Sequence, residues 1–427
     1  MKLHTKIVIA LAAGAGAGIL ANALLADAAW LKWTTRVVLV PTGQVFLRLL
    51  LMVVVPLVFA SLILGVARIG DVGKLGRIGG RTLAYFLATT TLAVLLGIGL
   101  VNLVEPGAGM DAGTRTLLLE TFAADTGAKL ATPPTAFGVD MLVNIVPRNP
   151  VQAAATMDML GIIFFALAFG IALGMLPAER AAPMLDLMQS IADVTVKIIE
   201  ITMRFAPVGV FALVFVAMYR FGWHLLEQLG VYIAVVLFGL LLHAGVTLSL
   251  AVRLLGRLSP AVFWRRARAS LVTAFSTSSS NATLPTNMTV AREQFGVSGP
   301  IAGFVLPLGA TMNMNGTALF EGVTVLFLAQ VFGVELTLGQ QLVVVVLAVV
   351  TAVGAAGVPG GSLPLMTIVL AAIGVPGEAI GVIIGVDRIL DMCRTTVNVA
   401  GDLSAAVYLE RREAADLREA ARTAPAA

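Results

Sequence analysis

Between Val386 and Asp402 an otherwise apolar segment carries Asp387, Arg388, Asp391, Arg394, Thr395, Asn398 and Asp402. Asp387, Asp391, Arg394, Asn398 and Asp402 step by three or four residues, so a helix lines them along one face. Ionisable groups inside a membrane span are costly, and they mark function. Part of this set has a structural use: Asp391 and Arg394 can neutralise each other, and Arg388 can pair with Asp391 or Asp387. The set also has a chemical use. Arg394 presents a planar fork suited to a carboxylate. Asp391 suits an ammonium group, and Asn398 can donate to a second carboxylate. Two carboxylates and one amine describe an acidic amino acid. Asp402 accepts only when ionised, which suits a small hard cation among carbonyl oxygens.

Such a face needs backbone around it that is not plain helix, and the last third of the chain supplies it. Residues 260–409 are interrupted at Thr277–Pro285, at Asn313–Thr317 and at Gly357–Pro364, each rich in Gly, Pro, Ser or Asn. Broken backbone at membrane depth is tolerated only where protein buries it or a cavity borders it. Free N–H groups at such a break favour anions, and free carbonyls favour cations. The segments pair off. A broken one (260–292) precedes a long one (297–329), and a second broken one (337–372) precedes another long one (377–409). That weak repeat predicts two re-entrant hairpins whose tips meet, within inverted repeats.

The rest of the chain is membrane-like. Of 427 residues 59% are hydrophobic and 12% charged, against about 25% charged in soluble domains. Apolar spans are expected at 6–25, 43–67 and 82–104, in a broken region from 113 to 176, and at 184–219 and 224–254. The stretch 106–140 reads as an external loop or partial helix. The basic groups Lys2/Lys6, Arg68–Arg81, Arg253–Arg268 and Arg411–Arg422 fall on one side if both termini are cytoplasmic. Trp30, Trp33, Trp223 and Trp264 sit at segment ends, as an interfacial belt requires. A single Cys, Cys393, leaves no disulfide or cysteine metal site. A serine hydrolase is disfavoured, because a Ser nucleophile needs a nearby base and no His follows His243 and no Lys follows Lys197. A channel filter repeats like groups around an axis, whereas these polar groups differ and lie within one chain.

These residues resemble the glutamate transporter family of dicarboxylate/amino acid:cation symporters. The resemblance covers nearly the whole chain, including Asn144–Pro150. It is most specific at Thr277–Pro285, Gly309–Thr317, Gly357–Gly360 and Asp391–Asp402. It implies an all-α polytopic protein with eight transmembrane helices and two re-entrant hairpins, forming a homotrimer and working as an elevator. The implied division is scaffold 1–80, transport-domain span 81–105, scaffold 106–222, transport core 223–410 and cytoplasmic tail 411–427, in the cell membrane. It implies symport of aspartate or glutamate with sodium, the proton being a second coupling candidate, and no cofactor or nucleic acid. A C4-dicarboxylate carrier is the alternative, against which Asp391 argues.

By motif position the resemblance gives the substrate amine to Asp391 and its side-chain carboxylate to Arg394. Ser280, Thr317, Thr395 and Asn398 complete the cradle, and Val358 to Ser362 form the outer gate. One sodium is implied at Gly309, Asn313, Asn398 and Asp402, and a second near Thr311 and Met314. A third would use Phe86, Thr89, Thr90, Asn313 and Asn315, but relatives commonly carry Asp and Tyr where this chain has Asn315 and Phe86. The missing carboxylate withdraws a countercharge from a dehydrated cation, so fewer than three sodiums are expected. Ser278 and Met392 stand where the family places an arginine, and Arg388 is a candidate substitute. Glu321 occupies the position of a proton carrier; the plainer alternative is a carboxylate paired with a neighbouring Arg, Arg388 being one candidate.

Overall fold

The computed structural model describes residues 3–67, 76–109, 146–156, 159–355, 357 and 359–423. Among them every regular element is a helix, as an apolar chain that must satisfy its own backbone requires. Among the described residues five apolar stretches are long enough to cross a membrane: Thr5–Leu25, Ile78–Val104, Ala178–Arg220, Glu227–Leu254 and Gly299–Phe332. The last is 94% buried and the others 24–44%. The Gly299–Phe332 segment is therefore the centre of the molecule, and the others surround it with apolar faces turned outward.

The outer helices are Leu3–Leu25, a run from Ala29 to Leu51 that includes a π segment at Thr35–Leu39, Val54–Ala67, Met159–Gly174 and the long helix Ala178–Leu242. Leu3–Leu25 lies along the long helix, and Val54–Ala67 packs on Met159–Gly174. The span expected at 43–67 is interrupted at Met52–Val53. Pro56 is the reason, since it has no N–H to bond the Met52 carbonyl. The turn expected between 219 and 224 does not interrupt the helix, which continues for 65 residues. That is roughly 100 Å, about three hydrocarbon thicknesses. Residues 220–224 contain no proline that would remove a backbone donor. Most of the broken region expected at 113–176, and of the stretch 106–140, lies outside the described residues. What is described there includes a short helix, Pro150–Ala155, whose first turn is capped by the Asn149 side chain.

The last third forms three interrupted units and a final helix. The first hairpin pairs Pro260–Thr277 with Ser280–Glu293. The broken helix consists of Gly299–Met312 and Asn315–Phe332. The second hairpin joins Leu338–Gly354 to Leu363–Ala372. All three breaks fall where the sequence predicts them. The last helix, Ile384–Thr423, packs against both arms of the first hairpin and both halves of the broken helix. The hairpins differ in what covers them. The second leans on Val54–Ala67 and on Val40–Leu51. The first packs on the last helix, on Gly299–Met312 and on Ser249–Leu254, and its outer side leaves Val272 58% and Phe275 44% exposed.

Candidate solute and cation site

The last helix is buried along its charged face: Asp387, Arg388, Asp391, Arg394, Thr395, Asn398 and Asp402 are all inside. The Arg394 guanidinium is the best held of these groups. Its Nη1 donates to Asp387 Oδ1 at 2.8 Å, and its Nε donates to Asp391 Oδ1 at 3.0 Å. Its Cζ lies 4.2 Å from the centre of the Phe320 ring, a cation–π contact strengthened by burial. The neutralisation of Asp391 by Arg394 is thus present, and Asp387 adds a second carboxylate two turns back. Arg388 is different: its Nη1 stands 3.7 Å from Asp391 Oδ2, and its Nε and Nη1 have no hydrogen-bond acceptor.

Asn398 holds the break in the central helix. Its Oδ1 accepts from Gly316 N at 2.7 Å and Thr317 N at 3.3 Å. Those are orphan donors at the start of the second half-helix, so a side chain from another helix serves as its cap. Its Nδ2 donates to Thr317 Oγ1 at 3.1 Å and to Met314 Sδ at 3.2 Å. The close crossing requires glycine at 316, because a Cβ there would collide with the Arg394 carbonyl oxygen.

One turn farther on, Asp402 Oδ1 accepts from Asn313 Nδ2 at 2.9 Å. A Cβ on Gly309 would stand 2.5 Å from that same oxygen, so the carboxylate rests against the Gly309 backbone. Asn313 Oδ1 is buried with no partner. The structure therefore brings Gly309, Asn313 and Asp402 together, with one carboxylate and one uncommitted amide oxygen. That donor set fits a small hard cation. Asn398, one turn before Asp402, is instead occupied by Gly316, Thr317 and Met314. The second expected cation site is less assembled. Thr311 Oγ1 donates to its own helix at Leu308 O, and Met314 turns its sulfur to Asn398.

At the third position Asn315 Oδ1 accepts from Thr90 Oγ1 at 2.7 Å and lies 3.5 Å from Thr89 Oγ1. Thr89 also donates to Tyr85 O at 2.8 Å, and Phe86 is buried beside them. The four residues do meet, but as a neutral hydroxyl–amide cluster. Glu321 corrects its plainer reading: its partner is Thr351, whose Oγ1 donates to Oε2 at 2.7 Å, not Arg388. Oε1 of Glu321 is buried without a partner.

The hairpin tips meet over this face. Ser278 takes a left-handed conformation with φ 50°. Ser279 then caps the descending arm, accepting from Ala282 N at 3.1 Å, and its hydroxyl donates to Gly357 O at 2.5 Å. Asn281 N donates to the same carbonyl at 3.2 Å. From the other tip Gly360 N donates to Asp391 Oδ2 at 3.1 Å. Ser278, Ser280, Thr317, Ser362, Asp391, Thr395 and Asn398 then surround a cavity of about 10 Å³, room for about one water. Ser278 Oγ and Ser362 Oγ have no partner in it. Val358 lies outside the described residues. Phe320, Thr351 and Ser279 are contributors that residue spacing did not single out, whereas Asp387 was placed on the charged face by its spacing and is found there.

The model of the sodium:dicarboxylate symporter family matches residues 3–412. The chain belongs to that family. The proton/glutamate-aspartate symporter of Escherichia coli is 37% identical over 382 residues, covering 89% of this chain and 86% of the relative. The proton/sodium-glutamate symport protein of Bacillus caldotenax is 36% identical, over 87% of each chain. The C4-dicarboxylate transport protein of Bacillus subtilis is 33% identical, also over 87% of each. The chain is thus a membrane protein of a transporter family.

Proposed function

We propose that this symporter carries an acidic amino acid, aspartate or glutamate, together with a small cation. Arg394 carries the reading: a buried arginine held by two carboxylates under two hairpin tips. A substrate side-chain carboxylate takes the place of Asp391 Oδ1 at Arg394, and Asp391 turns to the substrate ammonium. Thr317, Thr395, Asn398, Ser280 and Ser362, with Val358, complete the cradle. Coupling follows from charge. Asp402 is buried, and among the described residues it has no ion-pair partner. An uncompensated buried charge is costly, so a sodium ion, or a proton in its place, travels with the anionic substrate. No cofactor takes part.

The same reading makes the two hairpins re-entrant within eight spans and puts both termini in the cytoplasm of a homotrimer in the cell membrane. Residues 1–80 and 106–222 form the scaffold, and 81–105 with 223–410 form a moving transport domain. The packing of the second hairpin on the outer helices supports an elevator seen facing inward. The cavity of about 10 Å³ is far smaller than an amino acid, so a hairpin tip has to open for substrate entry. A C4-dicarboxylate is the second reading. It is favoured by the two arginines that already flank Asp391, which lessen its need for an amine.

Proteoliposomes loaded by dilution test both. Labelled aspartate uptake is expected to need an inward sodium or proton gradient and to vanish in Arg394→Ala. Uptake unchanged in that variant removes the carboxylate role of Arg394. Succinate competing as strongly as aspartate selects the dicarboxylate reading.

A further inference from the structure

The outer side of the first hairpin has no role in the site just described. Arg265, Arg268, Val272 and Phe275 are spaced by three or four residues along its ascending arm and are all exposed, so they share one outward face. Beside them lies an open groove of about 820 Å³ between the two arms. Arg265, Arg266 and Arg268 border one end of it, Val272 the other, and Thr289 and Glu293 the opposite arm. Among the described residues the three arginines make no ion pair, so Glu293 does not neutralise them. Arg292, on the opposite arm with Thr289 and Glu293, is also exposed.

Orientation of a membrane chain needs only a number of basic residues near a span. It does not require three of them on a groove that continues into an exposed apolar track. Trp264 precedes the arginines and anchors the arm by donating from Nε1 to Ser249 Oγ at 2.9 Å. A ligand that matches this face is charged at one end, where it is anionic, and apolar beyond. We propose that the outer face of the first hairpin binds one anionic phospholipid, with the phosphate among Arg265, Arg266 and Arg268 and an acyl chain along Val272 and Phe275. A soluble anion satisfies the arginines but leaves the apolar track uncovered. Phosphatidylcholine covers the track, but its choline offsets the charge.

The test uses purified full-length protein immobilised in detergent and counts radiolabelled phosphatidylglycerol retained per chain after washing. Wild type is expected to retain phosphatidylglycerol in strong preference to phosphatidylcholine. Each of Arg265→Gln, Arg266→Gln and Arg268→Gln lowers retention about fivefold, the value of one basic residue at an anionic headgroup. Lysine at all three positions preserves it. Val272→Asn with Phe275→Asn lowers it about threefold or more through lost apolar contact. Arg411→Gln with Arg412→Gln, in the tail, leaves it unchanged. Inorganic phosphate added to the wash does not displace the lipid. Retention that survives the glutamine substitutions, or equal retention of phosphatidylcholine, overturns the proposal, and displacement by phosphate reassigns the groove to a soluble anion. A glutamine variant that fails to elute as folded protein is replaced by the Val272/Phe275 pair, whose unchanged retention equally overturns it.

Discussion

Asp387→Asn tests whether the arginine that is to meet the substrate is aimed by its neighbours. Arg394 Nη1 donates to Asp387 Oδ1 at 2.8 Å, and both residues are buried. Asparagine keeps an oxygen at that place and removes the charge. Hydrogen bonds to charged groups contribute about 1.5–3 kcal/mol; the Arg394–Asp387 bond, with both partners charged, belongs near the upper end and the Arg394–asparagine bond near the lower. The loss is therefore about 1.5 kcal/mol, and it falls on the orientation of Arg394. Since about 1.4 kcal/mol is tenfold in an equilibrium constant, the half-saturating aspartate concentration is expected to rise about tenfold. Alanine at the same position leaves a buried guanidinium donor unsatisfied. It is expected to cost about 3 kcal/mol or more in fold stability, seen as a lower melting temperature in detergent. The assay is initial uptake by proteoliposomes across a range of aspartate concentrations, with protein orientation and quantity matched. Half-saturation in Asp387→Asn that is unchanged, or lower than in wild type, refutes the argument. It would mean that Asp387 competes with substrate for Arg394 rather than aiming it.

Asn315→Asp returns a carboxylate to the cluster with Thr89 and Thr90, and the sodium dependence of uptake is expected to become steeper; an unchanged Hill slope removes the third-site reasoning. Glu321→Gln keeps the Thr351 contact but cannot carry a proton, so uptake is expected to lose much of its pH dependence, and a profile identical to wild type ends the carrier role. Gly316→Ala places a methyl group against the Arg394 carbonyl, and overpacking of about 1–3 kcal/mol should lower the melting temperature and abolish uptake. Normal melting with normal uptake would show that the crossing of these helices is looser than its geometry indicates.

Several features of this protein are written in local sequence. Hydrophobic content and the length of apolar runs dictate helices in a membrane, because lipid offers no partner for an open backbone. The three breaks near Ser278, Asn313 and Gly357 are visible because Gly, Pro, Ser and Asn act on their own backbone within a few residues. The charged face from Asp387 to Asp402 is visible because helical periodicity is local. The interruption at Met52–Val53 was equally present in Pro56, but an apolar run masked it.

Other features depend on segments far apart in the chain. That Asn398 caps the half-helix beginning at Asn315, or that Ser279 bonds Gly357 across the two tips, follows from packing that no spacing encodes. Glu321 finds Thr351 rather than Arg388 for the same reason: a buried carboxylate takes whichever donor the neighbouring helix presents. Arg394 has two candidate partners on its own helix, and only burial under the second hairpin, with Gly360 N on Asp391, decides that it holds both. The sequence by itself determined which chemistry the chain carries. The tertiary structure decided which groups share it, because a hydrogen bond a few ångströms long is fixed by the meeting of helices and not by distance along the chain.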